Sequence, residues 1–363
     1  MSGPGMSTGS DLMTLTAELV DVPSVSHSET ALADLVEERL RRLDHLVVER
    51  VGDNVVARTE GIGGHRLALA GHLDTVPPNG NERARIDGDT LWGLGSADMK
   101  GGLAVMLELA ARHPDPAFDL SFIFYVCEEV QQDHNGLVHL LRDRPDLVAA
   151  DAAILGEPTG AVVEAGCQGT ARYEVLVGGA RAHTARPWMG RNAIHRLGAV
   201  LERLDAYEPR EPEIDGCRFR ESLQAVKAES FVAYNVVPDQ ARLVVNHRYA
   251  PDRTVEEATE SVRLHLGDAL DPGAGDAFTL LDHSESALPG LDHPLLQQLV
   301  ASTGEAPRAK LGWTDVSFFT AHGVPATNFG PGEPNLAHTA DERVPADQLE
   351  SCYRALESLI SSR

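Results

Sequence analysis

The sequence contains no run of eighteen consecutive apolar residues, so it predicts no transmembrane helix. Residues 1–10 are small and polar, and they lack the basic region and the apolar run of a signal peptide. The four cysteines are far apart and form no Cys-x-x-Cys pair, which favours free thiols over a disulfide framework. We therefore expect a cytoplasmic protein in which residues 1–10 form a disordered tail.

Basic residues are scarce compared with acidic ones. The chain has 31 Lys and Arg against 55 Asp and Glu, which gives a net charge of −24. Such a surface repels phosphate backbones, so nucleic acid is excluded as the expected partner. With 363 residues, of which 42% are hydrophobic, the chain is long and apolar enough to form two domains with substantial cores.

The pattern of apolar residues predicts an interrupted α/β protein. Helical spacing over 11–43 is followed by short strand-like runs that alternate with helices, which indicates a largely parallel sheet. After residue 169 a strand–helix–strand–helix block looks like a separate α+β unit, and the α/β pattern returns from residue 294. We therefore predict a first domain formed by 11–170 and 286–363, with a second domain, 171–285, inserted in it.

Side chains of the kind that bind metals follow three of the predicted buried strands. His72 comes after the strand at 67–70, Glu128 and Glu129 come after 120–126, and Glu157 comes after 152–155. In open α/β sheets, sites form beyond the carboxyl ends of the strands. The sequence therefore predicts that these four side chains converge on one crevice.

Two further residues complete the candidate ligand set. Asp98 lies in a glycine-rich segment just before a predicted helix, and His338 supplies a second imidazole. Imidazoles with several carboxylates suit Zn²⁺ and could accept Co²⁺ or Mn²⁺. Two metals need one bridging carboxylate and leave an acid to act as a base. Because neighbouring residues at a strand end point in different directions, only one of Glu128 and Glu129 easily faces a given metal.

Each of these residues also has an ordinary structural interpretation. A lone histidine is more often structural than a ligand, a Glu-Glu pair is usually solvated, and Asp98 could simply cap the following helix. Glu157 could be an ordinary loop acid. Their positions at the ends of apolar strands favour the ligand interpretation, whereas His338 is distant from any such strand.

Taken together, these segments resemble the co-catalytic, two-zinc aminoacylase/carboxypeptidase family of metallopeptidases, from about His72 to His338. The resemblance implies a zinc-peptidase-like, mostly parallel sheet flanked by helices, with an inserted lid and dimerisation domain. It also implies a binuclear centre in which His72 and Glu157 bind one zinc, Glu129 and His338 bind the other, and Asp98 bridges them.

The same resemblance assigns roles to residues beside the metals. It implies that Asp74 hydrogen-bonds the free ring nitrogen of His72 and fixes its tautomer. It implies that Glu128 is the general base, and that the peptide bond between Asp98 and Met99 is cis.

The inserted unit supplies further candidates. The segment 181–187 resembles the family's lid motif, which implies that His183 donates to the oxyanion in the other subunit of a homodimer. Asn235 resembles a second lid contact, Arg248 would bind a substrate carboxylate as a bidentate pair, and Thr314 would be a substrate donor in the loop 312–315. His183 could instead be a surface histidine, and Arg248 could be a structural ion-pair partner.

Within the family, the chain is most similar to the branch that hydrolyses N-succinyl-LL-2,6-diaminopimelate to succinate and LL-diaminopimelate, for lysine and cell-wall synthesis. The alternatives are deacylation of N-acetylornithine or another N-acyl amino acid, and a metal-binding relative without catalysis, which the intact Glu128 argues against. One departure concerns the acyl group, because Cys167 and Gln168 stand where the branch carries an arginine pair.

Overall fold

The computed structural model describes residues 9–361. Gly9 and Ser10 begin the first helix, so the expectation of a tail through residue 10 is wrong for these two, and residues 1–8 lie outside the described part. No helix within residues 9–361 has the length and apolar character needed to cross a bilayer. The helices are α1 (Gly9–Val20), α2 (Thr30–Arg41), α3 (Lys100–Arg112), α4 (Gly136–Asp143), α5 (Pro145–Val148), α6 (Ala193–Asp205), α7 (Val255–Leu266), α8 (Pro294–Thr303), α9 (Val316–Ala321) and α10 (Ala346–Ser361).

The strands are numbered in the same way along the chain. They are β1 (Val47–Val51), β2 (Asn54–Arg58), β3 (Arg66–His72), β4 (Arg85–Asp87), β5 (Thr90–Trp92), β6 (Asp119–Tyr125), β7 (Ala152–Leu155), β8 (Glu164–Ala165), β9 (Gly169–Gly178), β10 (Ala182–His183), β11 (Glu213–Ile214), β12 (Cys217–Arg218), β13 (Ser222–Glu229), β14 (Val236–Val237), β15 (Gln240–Tyr249), β16 (Ala277–Ser284), β17 (Arg308–Ala309), β18 (Ala326–Asn328) and β19 (Arg343–Pro345).

The described chain divides into two compact units. Unit 1 comprises residues 9–166, 289–308 and 315–361, and unit 2 comprises 167–288 and 309–314. The sequence analysis placed 309–314 in the first domain, but this segment groups with unit 2. Two hydrogen bonds join the segment to unit 2: the backbone N–H of Gln168 donates to the carbonyl of Lys310, and the Trp313 indole donates to the carbonyl of Glu285.

Unit 1 is built on an eight-stranded sheet in the order β1-β2-β6-β3-β7-β18-β8-β17. Its middle is parallel, since β3 pairs in parallel with β6 and β7, and β18 pairs in parallel with β7. The sheet as a whole is mixed rather than largely parallel. Two residues, Gly52 and Asp53, join β1 to β2, and so short a connection requires antiparallel strands.

The central strands of unit 1 are buried along almost their whole length, which explains why they appear in the sequence as continuous apolar runs. A cluster of apolar side chains from α1, α2, α3, α8 and α10 forms the core with this sheet. At Gly102 of α3, an added Cβ would lie 2.2 Å from the carbonyl oxygen of Gly156. The start of α3 therefore lies tightly against the chain that follows β7.

Unit 2 is built on a four-stranded antiparallel sheet in the order β13-β15-β9-β16, and α6 and α7 pack with it. Burial alternates along β9 and β15, as expected for strands with one face in a core. The edge strands β13 and β16 were not predicted from the sequence, because most of their side chains are exposed and give little apolar signal. A separate two-stranded pair, β10 and β14, holds the segments around His183 and Asn235 together.

Candidate metal and active site

Three strand ends of unit 1 bring candidate donors to one edge of the sheet. His72 is the last residue of β3, Glu129 follows β6, and Glu157 follows β7. The register aligns these ends, since His72 lies opposite Tyr125 and Ala70 lies opposite Leu155. The convergence follows directly from parallel strands ending at the same edge.

The predicted ligands form two groups that share Asp98. Donor atoms of His72, Asp98 and Glu157 all lie within 4.8 Å of one another, and so do those of Asp98, Glu129 and His338. The two carboxylate oxygens of Asp98 face different imidazoles: Oδ1 lies 3.1 Å from Nε2 of His72, and Oδ2 lies 3.5 Å from Nε2 of His338. A carboxylate shared in this way has the geometry of a bridging ligand.

The charges in this cluster are strongly coupled. Hydrogen bonds to Asp98 and Glu129 raise the pKa of His338 to about 10. Burial works against a charged His72, but its partners Asp74 and Asp98 outweigh burial and raise its pKa. The carboxylates around the two imidazoles favour positive charge at this place. A divalent cation can supply that charge in place of the protons, so the donor set fits a metal.

Asp74 fixes the backbone beneath the site. Its carboxylate accepts hydrogen bonds from the N–H groups of Glu128 (2.9 Å) and Glu129 (3.0 Å) and from the hydroxyl of Ser26 (2.8 Å). Nδ1 of His72 lies 3.0 Å from the backbone carbonyl of Asp74 and 3.4 Å from its carboxylate. Nδ1 of His72 thus faces both the carbonyl and the predicted carboxylate of Asp74, and the carbonyl is the nearer of the two. Asp74 therefore contacts the imidazole and the backbone of both glutamates.

Glu128 lies beside the shared ligands. Its carboxylate groups with His72 and Glu129 within 4.8 Å, but it is in neither group that contains Asp98. Burial, followed by the negative charges of Asp315 and Glu157, raises the pKa of Glu128 well above its usual range. A carboxyl group that holds a proton more readily than usual is suited to exchanging protons with a substrate.

Glu342 is a site residue that the sequence analysis did not single out. Its Oε1 accepts the backbone N–H groups of Ala97 (3.1 Å) and Asp98 (3.0 Å), and burial raises its pKa to about 7. The peptide bond from Asp98 to Met99 is cis, as the resemblance implied. Glu342 lies four residues after His338, so its closeness to a predicted ligand was the available signal in the sequence.

Asp315 is the second residue that the sequence analysis missed. It is fully buried and accepts a hydrogen bond of 2.9 Å from the side chain of Asn135, while burial raises its pKa to about 6. Its charge acts on Glu128. It directly follows Thr314 in the predicted substrate loop 312–315, but nothing in the sequence indicates that its side chain is buried.

In unit 2, His183 and Asn235 are neighbours. His183 pairs with Val236 across β10 and β14, and the carbonyl of Asn235 accepts the N–H of Thr184 at 3.0 Å. Nδ1 of His183 accepts the backbone N–H of Ala185 at 3.0 Å. In the neutral ring the proton is therefore on Nε2, which can donate to a substrate.

The other two predicted substrate residues of unit 2 differ in exposure. Arg248 lies in β15 and is half-buried; burial, followed by the charge of Arg172, lowers the pKa of its guanidinium. Among the described residues it has no ion-pair partner. Thr314 is buried, and its carbonyl accepts the thiol of Cys167 at 3.7 Å. Cys167 and Gln168, which stand where the resemblance implies an arginine pair, are uncharged and buried. They therefore place no cation on the surface.

Comparison with known proteins identifies the family. The profile of peptidase family M20/M25/M40 matches residues 68–362. A succinyl-diaminopimelate desuccinylase of Corynebacterium glutamicum is 44% identical over 99% of this chain and 98% of its own length. A Mycobacterium tuberculosis protein, provisionally named as the same enzyme, is 50% identical over 95% of this chain and 97% of its own length.

Solved structures share the fold at low sequence identity. The aminopeptidase PepT of Bacillus cereus superposes with a TM-score of 0.80 at 19% identity, over 98% of this chain and 99% of that one. A Bacillus subtilis protein described as a dinuclear metal-binding peptidase gives a TM-score of 0.71 at 15% identity, over 97% of both chains. These findings confirm the predicted fold and resemblance: the chain belongs to peptidase family M20/M25/M40 and is a metal-dependent amide hydrolase.

Proposed function

We propose that this protein hydrolyses the amide bond of N-succinyl-LL-2,6-diaminopimelate and releases succinate and LL-diaminopimelate. The observation that carries the proposal is the pair of donor groups that share Asp98, with the acid Glu128 beside them. Relatives at 44–50% identity, which match nearly the full chain, carry the name of this activity. The product suits the synthesis of lysine and of cell-wall precursors.

We infer that the donor groups hold two zinc ions, and that Co²⁺ or Mn²⁺ could substitute. His72 and Glu157 would hold one ion and Glu129 and His338 the other, with Asp98 between them. Nitrogen and oxygen donors in these numbers fit zinc. Bound zinc would supply polarisation of the acyl carbonyl and would make the attacking water easier to deprotonate.

Glu128 would act as the general base and then as the general acid. It would take the proton of the attacking water and pass it to the nitrogen of the leaving amine as the amide bond breaks. Support comes from its place outside both groups that share Asp98, which leaves its carboxylate available for protons.

His183 would stabilise the negative charge that develops on the acyl oxygen. Its tautomer supports this role, since Nδ1 is occupied by the N–H of Ala185 and Nε2 bears the proton. We also propose that the protein is a homodimer through unit 2, in which each His183 serves the metal centre of the partner chain. The exposed edge strand β13 offers an unpaired backbone for such an association.

Recognition of the substrate's own carboxylates would fall to unit 2. Arg248 is half-buried and lacks an acidic partner among the described residues, so a bidentate pair with a carboxylate would compensate its charge. Asn235 and Thr314 would add hydrogen bonds to the substrate.

We further infer that the reaction takes place in the cytoplasm. All four cysteines are buried free thiols, which suits a reducing compartment.

The experiment is a substrate panel with the zinc-loaded protein: N-succinyl-LL-2,6-diaminopimelate, N-acetylornithine and several dipeptides. The highest kcat/KM is expected for the succinylated substrate, and the Glu128→Gln variant serves as the control for contaminating activity. A higher kcat/KM for N-acetylornithine would replace the proposed substrate with the alternative one. No turnover of any substrate would point to a metal-binding relative without catalysis.

A further inference from the structure

The proposed substrate carries a carboxylate on its acyl group, and this carboxylate needs a partner. The chain is strongly acidic, with 55 acidic and 31 basic residues, so an unassisted anion would be repelled. The stretch at Cys167 and Gln168 offers no cation, and both side chains are buried. The partner must therefore come from another part of the protein.

Few arginines in the described part of the chain are available for an added anion. Three of them, Arg186, Arg248 and Arg343, form no ion pair within residues 9–361. Arg343 stacks over the ring of Trp92, with 4.6 Å between the guanidinium carbon and the ring centroid. The remaining two belong to unit 2, and Arg248 is already proposed to bind a carboxylate of the diaminopimelate portion.

Arg186 lies in the same tight turn as His183. The backbone N–H of Arg186 donates to the carbonyl of His183 at 2.7 Å, which closes a four-residue turn. The Cα atoms at the two ends of such a turn lie less than about 7 Å apart. The neighbouring residue Thr184 is held to Asn235, so the turn is anchored to the β10–β14 pair.

The chemistry of a succinyl group matches this spacing. Its carboxylate is separated from its acyl carbon by three carbon–carbon bonds, so a group that binds the acyl oxygen and a group that binds the carboxylate must lie close together. His183 offers the donor for the acyl oxygen, and the flexible side chain of Arg186 starts from the other end of the same turn. Arginine also has the planar fork that pairs with a carboxylate in a bidentate manner.

We propose that Arg186 binds the succinyl carboxylate and makes the protein selective for succinylated over uncharged acyl substrates. This inference rests on the proposed function, because it assigns a specificity residue to that reaction. Arg186, in the lid segment formed by residues 181–187, then supplies the positive charge that Cys167 and Gln168 do not carry.

The neighbouring Arg181 provides a matched control. It is also an exposed arginine of the lid segment, but its Nε lies 2.9 Å from a carboxylate oxygen of Asp239. Removal of Arg181 therefore tests the general effect of deleting a positive charge near His183.

The test compares kcat/KM for N-succinyl-LL-2,6-diaminopimelate and for its N-butyryl analogue, in which a methyl group replaces the carboxylate. In Arg186→Ala, kcat/KM for the succinyl substrate should fall about 10- to 100-fold, mainly through KM. The butyryl analogue should change less than about twofold, which also shows that the variant is folded. The kcat/KM of Arg186→Lys for the succinyl substrate should lie between those of the wild type and Arg186→Ala, because a point charge replaces the planar fork of the guanidinium. Arg181→Ala should keep the wild-type ratio of the two substrates.

The outcomes separate the two proposals. If the wild-type protein cleaves the succinyl substrate well and Arg186→Ala keeps the wild-type preference, the assignment of Arg186 is overturned while the proposed function stands. An equal loss of kcat/KM on both substrates in Arg186→Ala also overturns it, since Arg186 would then not distinguish the succinyl carboxylate from a methyl group. If the wild-type protein cleaves neither substrate, the proposed function fails and the inference fails with it.

Discussion

The metal-site end of unit 1 and the lid segment of unit 2 position their functional side chains in opposite ways. His72 and Asp74 are buried to within 1% of their surface, and their ring and carboxylate are held by several hydrogen bonds. In the lid segment, His183 and Arg186 are exposed. Their turn is held by the N–H of Arg186 on the carbonyl of His183, by the N–H of Ala185 on the His183 ring, and by the β10–β14 pairing. The side chains of the first region are positioned by the fold itself, whereas those of the second region are exposed and have fewer contacts that fix them.

This difference separates two kinds of expected defect. A change in the buried region should affect metal binding or turnover on every substrate, because the donors there are positioned by the fold itself. A change in the lid segment should leave the metal centre intact and affect stabilisation of the reacting group or choice of substrate.

Glu128 and its neighbour Glu129 form a matched pair for the buried region. Glu128→Gln should reduce kcat by up to about 10⁴-fold while two metals per chain are retained, because the variant loses proton transfer only. Glu129→Gln should lose one metal per chain. Metal content by mass spectrometry and single-substrate kinetics measure both. Metal loss in Glu128→Gln with turnover preserved would show that the two roles have been exchanged.

His183 tests the exposed region. His183→Ala should lower kcat about 100- to 1000-fold with metal content unchanged, since one oxyanion donor is lost. If His183 serves the partner chain, mixing inactive Glu128→Gln chains with His183→Ala chains should restore activity to about a quarter of wild type, because half of the dimers contain one intact site. A mixture that stays inactive after proven subunit exchange would mean that His183 acts within its own chain or has no role.

Glu342 tests whether the backbone around Asp98 must be held in place for tight metal binding. Glu342→Ala removes the acceptor for the N–H of Asp98, so the affinity for metal should fall about 10- to 100-fold in competition with a chelator. Asp341→Ala, a change at the exposed neighbouring residue, is the control and should keep wild-type affinity. Equal affinities for the two variants would show that this backbone anchor does not support the metal site.

The comparison also explains which parts of the molecule could be predicted from sequence. The convergence of His72, Glu129 and Glu157 follows from apolar runs that end in polar residues, and the alignment of parallel strands turns that local signal into a shared edge. Edge strands such as β13 were missed because a strand with little buried surface carries little apolar periodicity. The grouping of the segment 309–314 with unit 2 was not predicted, since its hydrogen bonds to residues distant in the sequence leave no local pattern.

Two acids of the candidate site, Glu342 and Asp315, were also not predicted from the sequence. Glu342 lies four residues after His338 and Asp315 directly follows Thr314, yet their contacts depend on which groups face them after folding. A carboxylate that accepts backbone N–H groups looks like any other acid in a sequence. The carbonyl of Asp74 as the nearer partner of His72 was equally inaccessible, because main-chain acceptors have no sequence signature.

The most direct test of the account is the position of the metals themselves, measured by anomalous scattering from crystals of the zinc-loaded protein. The account predicts two peaks about 3.5–4 Å apart, with Asp98 between them. One peak should be bound by His72 and Glu157 and the other by Glu129 and His338, while Glu128 coordinates neither. A single peak under saturating zinc, or Glu128 in place of Glu129 as a ligand, would contradict it.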